Sequence, residues 1–486
     1  MTVRHCRKNS YKWLVFLTIG TGMFTTVTDA GSTIVALPTI AGQFSTDLPT
    51  TQWIVNAYAL TISALLVPLG RLSDIMGRKR IYIAGFSIFS GGALLAGFSI
   101  NILTLILSRV LMGIGAAMTQ GSSMAIMISA FPPHERGKAL GLQMSAVGSG
   151  AVAGPALGGV VVSAFGWRGI FFGISILGLL SATAATLILQ PDVKEKGSEK
   201  PPFDWLGAAF SAGFLVLFLL GMSNGPKIGW TAPFVLGPFF GAALLLGLFI
   251  WWELRISAPM LDIRYFKERI FSIGVISRFL MFMGMAAVRY LPPFYFQSIL
   301  GYSARSYGLI AIPASVATIA ISPLAGRLSD RYGWKRFAVG GLIISIAGLI
   351  LLAFVSVESS LLFVIGVWVL QMTGHAAFTA PNNASVLSVV DREKFGVIAS
   401  FVNMVRNAGN VTGTALTTAI ITSVLVINGL PPTLESVNVA ADTYTANVFC
   451  RGMSVAFIVP AALISIALLL NLFLNPQADK VAAKAD

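Results

Sequence analysis

Charged residues in this chain come in short patches, and between them lie fourteen uncharged or nearly uncharged runs of about twenty residues or more. A bilayer's hydrocarbon core is about 30 Å thick and takes about 20 apolar residues to cross as a helix, which satisfies its own backbone hydrogen bonds without water. The runs fall at about 13–37, 52–70, 81–100, 103–128, 139–163, 169–190, 204–223, 232–252, 271–298, 304–325, 336–356, 359–385, 396–425 and 449–473. An all-α integral membrane protein is the expected class. Only 11% of residues are charged and 56% are hydrophobic, against about 25% charged in soluble domains, which excludes a water-soluble enzyme.

The net charge of +14 acquires meaning from where the basic residues sit. With the N-terminus placed in the cytoplasm, twenty-five of the 33 Lys and Arg fall in the tails and the cytoplasmic loops. Four, Arg168, Lys227, Arg305 and Arg451, fall on the other side, and Arg109, Arg278, Arg289 and Arg406 lie within helices. Basic residues near helix ends gather on the cytoplasmic side, so the charge is mostly a topology signal and both termini are expected to be cytoplasmic. No basic stripe or nucleic-acid motif is present. The first apolar run, reaching Ile40 behind Arg4, Arg7, Lys8 and Lys12, exceeds the roughly 7–15 residues of a cleavable signal core and is read as a retained helix. Cys6 and Cys450 have no metal-ligand spacing and are expected on opposite sides of the membrane.

The segment 191–203, rich in Pro, Gly and charge, has the composition of a linker. An internal repeat marks the same division: Gly70-Arg71-Leu72-Ser73-Asp74 recurs as Gly326-Arg327-Leu328-Ser329-Asp330, each followed by glycine (Gly77, Gly333) and a basic cluster. Both copies are expected on cytoplasmic loops. Setting aside two helices between the copies leaves two six-helix bundles, with expected units 1–190, 191–270 and 271–486. Duplicated halves with substrate bound near the midplane between them are a common transporter plan.

Gly70-x-Leu72-x-Asp74-x-x-Gly77-Arg78-Lys79-Arg80 resembles the loop signature of the major facilitator superfamily. Gly150-x-x-x-Gly154-Pro155-x-x-Gly158-Gly159 is similar to the signature that marks its antiporters. Asp29, followed by small and polar residues and then Ala36-Leu37-Pro38, resembles the first helix of the fourteen-helix drug:proton antiporters. Arg109-x-x-x-Gly113-x-Gly115 is similar to their arginine motif. Met112 departs from a common Gln, and Gly169 and Ser175 from a usual Trp and Asn. The resemblance implies a major facilitator fold of two pseudo-symmetric six-helix bundles plus two inserted helices. It also implies a cytoplasmic gate at Gly70, Asp74, Gly77, Arg78, Gly326, Asp330 and Gly333, and an antiporter motif at Gly150, Gly154, Pro155, Gly158 and Gly159. No cofactor or metal is implied.

Charges inside a bilayer are costly and mark function. Asp29 is the one acid outside loops and tails, and counting along the helices places it and Arg109 at matching depths in the outer part of the membrane. A carboxyl in such a site gains or loses its proton according to whether a cation stands beside it. The pair is therefore assigned to proton coupling, with His375, a residue whose ordinary titration lies near pH 6.5, as a second carrier. By analogy with the superfamily, Arg278, Arg289 and Arg406 are candidates for a basic cavity wall in the C-terminal half. Met281, Met283 and Met285 serve packing or form an adaptable apolar wall, and Trp13, Trp53 and Trp230 fit the interface belts.

The expected function is proton-coupled antiport exporting small amphiphilic drugs by alternating access. The alternatives are export of a native metabolite, lipid or fatty acid, and a membrane sensor that does not transport. Expected partners are the small-molecule substrate, protons and membrane lipids, in a monomer of the plasma membrane.

Overall fold

The computed structural model describes residues 2–132, 135–190, 204–256, 261–390, 395–430 and 443–474. The linker 191–203 lies outside them, as do the side chains of Asp74 and Asp330. Among the described residues the architecture is all-α. The N-terminal bundle contains α1 (Thr2–Phe44), α2 (Leu48–Met76), α3 (Arg78–Gly97), α4 (Ile102–Ala130) and α5 (Arg136–Ile188). Two further helices follow, α6 (Trp205–Ile228) and α7 (Pro233–Glu253). The C-terminal bundle holds α8 (Arg269–Phe294), α9 (Ala304–Ile310), α10 (Ile312–Tyr332), α11 (Trp334–Leu352), α12 (Leu361–Leu387), α13 (Phe395–Ile427) and α14 (Thr443–Phe473). A π-helical turn, Tyr295–Ile299, extends α8.

Thirteen of these helical stretches are long and apolar enough to cross a bilayer, α9 and α10 together forming one. The 53 residues of α5 would measure about 80 Å as one rod, far more than a bilayer is thick. The helix breaks at Gly166, where φ is 70° and ψ 174°, a backbone an L side chain rarely adopts. A Cβ on Gly169 would lie 3.1 Å from Val161 Cγ1, eight residues back and about 12 Å away along a continuous helix, so the chain reverses at Gly166. The first arm runs parallel to α1, with Gly154 beside Gly31. The second runs antiparallel to α3, with Gly178 beside Ser90 and Phe172 beside Gly97. Among the described residues, fourteen segments of bilayer length result.

Local chemistry marks the helix starts. Asp47 caps α2 through Thr50 N (2.8 Å), Asn101 and Thr104 form a reciprocal capping box on α4, and Ser303 and Ser360 cap α9 and α12. Asp204 caps α6, accepting from Gly207 N at 2.8 Å and from Trp252 Nε1 at 2.8 Å. Asp204 and Glu253 are both buried. Sequence reasoning assigned both to loops, but they stand at the packed ends of α6 and α7, where Leu261 N donates to Glu253.

The duplicated segment also differs from expectation. Gly70–Met76 and Gly326–Tyr332 are the last turns of α2 and α10, and the turn itself is reduced to one glycine in each copy, Gly77 (φ 104°) and Gly333 (φ 92°). Hydrogen bonding explains why the helices continue. Ser73 Oγ donates to Gly70 O and Ser329 Oγ to Gly326 O, and Gly77 N and Gly333 N close the final helical bonds onto the carbonyls of Ser73 and Ser329. The symmetry extends further. Lys79 Nζ donates to the carbonyls of Thr186 (2.9 Å) and Leu189 at the end of α5, and Lys335 Nζ to those of Leu472 (2.9 Å) and Leu474 at the end of α14. Each lysine covers the negative end of a helix in its own bundle. These turns and their lysines form the basic face of the molecule.

Hydrogen bonds joining the two bundles lie toward the opposite face. Gln297 Nε2 donates to Val35 O (3.0 Å), Tyr290 OH to Leu48 O (3.3 Å) and Arg305 N to Ser163 Oγ (3.1 Å). Helix α6 packs against both α2 and α13, with Gln52 Nε2 and Asn56 Nδ2 donating to the carbonyl and hydroxyl of Ser223. Helix α7 packs on α6 and is the most peripheral of the described spans, with only Val235, Ala242, Phe249 and Glu253 buried.

Candidate functional site

Asp29 is fully buried and Arg109 is 1% exposed. Arg109 Nη1 donates to both carboxylate oxygens, at 2.9 and 2.8 Å, and Thr33 Oγ1 approaches Oδ1 at 3.4 Å. The guanidinium is further held by Nε donating to Ile54 O (3.1 Å), by Met112 Sδ at 3.5 Å, and by the face of Tyr58 at 4.2 Å. Three helices thus meet at one ion pair: α1 gives the acid, α4 the base, and α2 a carbonyl and an aromatic face. The Tyr58 hydroxyl is buried with no hydrogen-bond partner. Helix α1 continues beyond Pro38, and Asp29 stands fifteen residues from its end at Phe44.

The glycines of the antiporter-like segment serve two neighbours. Gly150, Gly154 and Gly158, spaced four apart on one face, meet α1: an added Cβ would lie 2.9 Å from Phe24 O, 3.0 Å from Gly31 Cα and 2.7 Å from Ser32 Cα respectively. Ser32 Oγ donates to Gly154 O at 2.8 Å across the same contact. Gly159 faces the other bundle, its would-be Cβ 2.4 Å from Ala304 O, and one turn earlier Pro155 O abuts Gly308. The first arm of α5 is therefore wedged between α1 at the level of Asp29 and α9.

His375 does not join Asp29 and Arg109. It lies on α12, buried, edge-on to Phe282 at 4.9 Å, within electrostatic range of Arg278, Arg289 and Arg406. Arg278 is 3% exposed and spoken for: Nε donates to Val402 O (3.0 Å), Nη1 to Asn383 Oδ1, and the guanidinium overlies Phe282. Arg289 is exposed and Arg406 half-buried. Met281, Met283 and Met285 are all buried in the packing of α8. At the basic face, Gly70 packs on Gly121 of α4 and Gly326 near Ala380 of α12. Sequence reasoning missed Tyr58, the Ile54 carbonyl, Ser32 and the two lysine caps.

The Major Facilitator Superfamily model matches the chain twice, over residues 19–290 and 274–485. The riboflavin transporter RibZ of Clostridioides difficile is 30% identical over 96% of this chain and 99% of its own length. The multidrug resistance protein Stp of Mycobacterium tuberculosis is 29% identical over 84% of this chain and 75% of its own. Among solved structures, an inward-facing bacterial homologue of the human lysosomal transporter Spinster superposes with a TM-score of 0.68, covering 95% of this chain and 96% of that one, at 18% identity. The fold, the duplicated turns and these matches agree: the chain belongs to the major facilitator superfamily and is a secondary transporter rather than an enzyme.

Proposed function

We propose that this transporter exports small amphiphilic compounds, drugs among them, in exchange for protons. The observation that carries the reading is the Asp29–Arg109 pair. It is the one fully buried ion pair among the described residues, and it stands where α1, α2, α4 and the antiporter-like arm of α5 converge. An ion pair out of water is held by charge, so adding one proton to Asp29 removes the attraction that ties α1 to α4. Ser32 and Gly31, within a turn of Asp29, rest on Gly154 and Gly158, and the same arm presses Gly159 on Ala304. Protonation is thereby linked to the contact between bundles. Relatives bearing the names multidrug resistance protein and lincomycin resistance protein support a drug-like cargo, and RibZ supports a native small molecule as the second reading.

In this reading the units are 1–190, 191–270 and 271–486. The basic face is cytoplasmic, both termini lie on that side, and the protein works as a monomer in the plasma membrane. The bundles rock about a midplane site, and the turns around Asp74 and Asp330 latch the outward-facing state. The test is dye efflux in proteoliposomes with a pH gradient imposed and then collapsed, comparing wild type, Asp29→Asn and Asp29→Glu. Gradient-driven efflux that is lost in Asp29→Asn and partly kept in Asp29→Glu is expected. Full gradient-driven efflux in folded Asp29→Asn overturns the assignment of the proton to Asp29.

A further inference from the structure

The wall of the C-terminal bundle carries positive charge that no described residue neutralises by a hydrogen bond or ion pair. On α8, every residue from Met281 to Phe296 is buried except Arg289, which is exposed. A helix enclosed on all sides at that level has no lipid-facing stripe, so the opening beside Arg289 is internal. Arg289 lies within electrostatic range of His375 on α12 and Arg406 on α13. No hydrogen bond or ion pair is formed by Arg289 or Arg406 among the described residues, whereas Arg278 and Arg109 are each tied down by several partners. Helices α8, α12 and α13 contain no Asp or Glu. The intramembrane carboxylate of the N-terminal bundle, Asp29, is already matched one to one by Arg109.

Two guanidinium groups facing an internal space repel each other, and each is costly to hold away from bulk water without a counter-charge. Guanidinium forks match the geometry of carboxylate and phosphate oxygens. We propose that Arg289 and Arg406, flanked by His375, bind the anionic group of the transported compound, a carboxylate or phosphate borne on an apolar body. The buried Phe282 and the methionines of α8 form the apolar packing behind this wall. The inference deepens the export reading by naming the class of cargo. It rests on that reading only for the direction of movement, since binding requires no gradient.

The test uses two dyes on the same xanthene skeleton, the anion 5-carboxyfluorescein and the cation rhodamine 6G. Anisotropy is read with the full-length protein in a non-ionic detergent. Wild type is expected to prefer the anion, and Arg289→Gln and Arg406→Gln each to weaken its binding at least tenfold without weakening rhodamine 6G. Arg289→Lys is expected to restore part of the loss, which separates charge from misfolding. Competition by inorganic phosphate and by acetate tells which oxyanion the site prefers, and displacement by either supports it. A preference for rhodamine 6G, or anion binding unchanged in both glutamine variants, overturns the proposal. Anion binding retained while efflux ignores the pH gradient refutes antiport but not the anion site. Gradient-driven rhodamine 6G efflux with no anion binding does the reverse.

Discussion

The contact of Gly159 with Ala304 O allows a quantitative test of how the bundles are held together. A methyl group at 159 would sit 2.4 Å from that carbonyl oxygen, and ordinary contact begins near 3.4 Å, so the two bundles must part there by about 1 Å. Overpacking of this kind costs about 1–3 kcal/mol. Because the cost falls only on the state in which α5 touches α9, Gly159→Ala should shift the equilibrium away from that state by about 5–150-fold. Ala304 and Gly308 face α5, and Ala311, following them at helical spacing at the end of α9, is 3% exposed. A thiol introduced by Ala311→Cys, in a background with Cys6 and Cys450 replaced, reports the opening through its reaction with an impermeant reagent applied from the face opposite the basic one. Faster labelling in Gly159→Ala is expected. Gly173→Ala, whose added methyl meets nothing within 4 Å, should leave the rate unchanged. Equal labelling of wild type and a folded Gly159→Ala variant would refute the wedge, as would equal acceleration by Gly173→Ala.

Other perturbations follow from the same structure. Asp29→Asn leaves the Arg109 guanidinium buried without a counter-charge, a loss of about 3–5 kcal/mol, and the double variant Asp29→Asn/Arg109→Gln should melt higher in detergent than Asp29→Asn alone. Asp204→Ala removes the α6 cap and the acceptor for Trp252 Nε1, so a loss of about 1 kcal/mol is expected in thermal unfolding, with Asp204→Ser retaining much of the cap. Lys79→Met and Lys335→Met should each destabilise by about 0.3–1 kcal/mol, and by similar amounts, since each uncovers the end of an equivalent helix. Gly166→Ala should cost about 1–3 kcal/mol, since φ 70° with ψ 174° is open essentially to glycine alone, measurable as a lowered melting temperature that Gly166→Asn shares.

The number of crossings was readable because hydrophobic length is set by the bilayer. Even the reversal at Gly166 announced itself through the Gly166-Trp167-Arg168 interruption. The end of α1 was misread because the helix does not stop where its apolar run stops: Gln43 continues it, its polar oxygen accepting from Trp167 Nε1 at 2.5 Å. The meeting of Asp29 with Arg109 was legible from charge and depth, as two opposite charges in one half of a membrane have few alternatives. The rest of that site was not, since a carbonyl such as Ile54 O leaves no trace in a sequence and Tyr58 looks like any interfacial tyrosine. Asp204 and Glu253 read as loop residues because their burial where the ends of α6 and α7 pack together is a tertiary fact.

The position of α6 bears on how cargo reaches the interior. Two bundles laid side by side leave two lateral seams, and each is a potential doorway from the lipid leaflet. Here α6 lies along one of them, touching α2 on one bank and α13 on the other, and α7 covers it from outside. The seam between α5 and α10 has no such cover among the described residues. If cargo enters from the leaflet, the α5–α10 side is the one that no further described helix covers, and photoreactive lipophilic probes should then mark α5 and α10 in preference to α2 and α13.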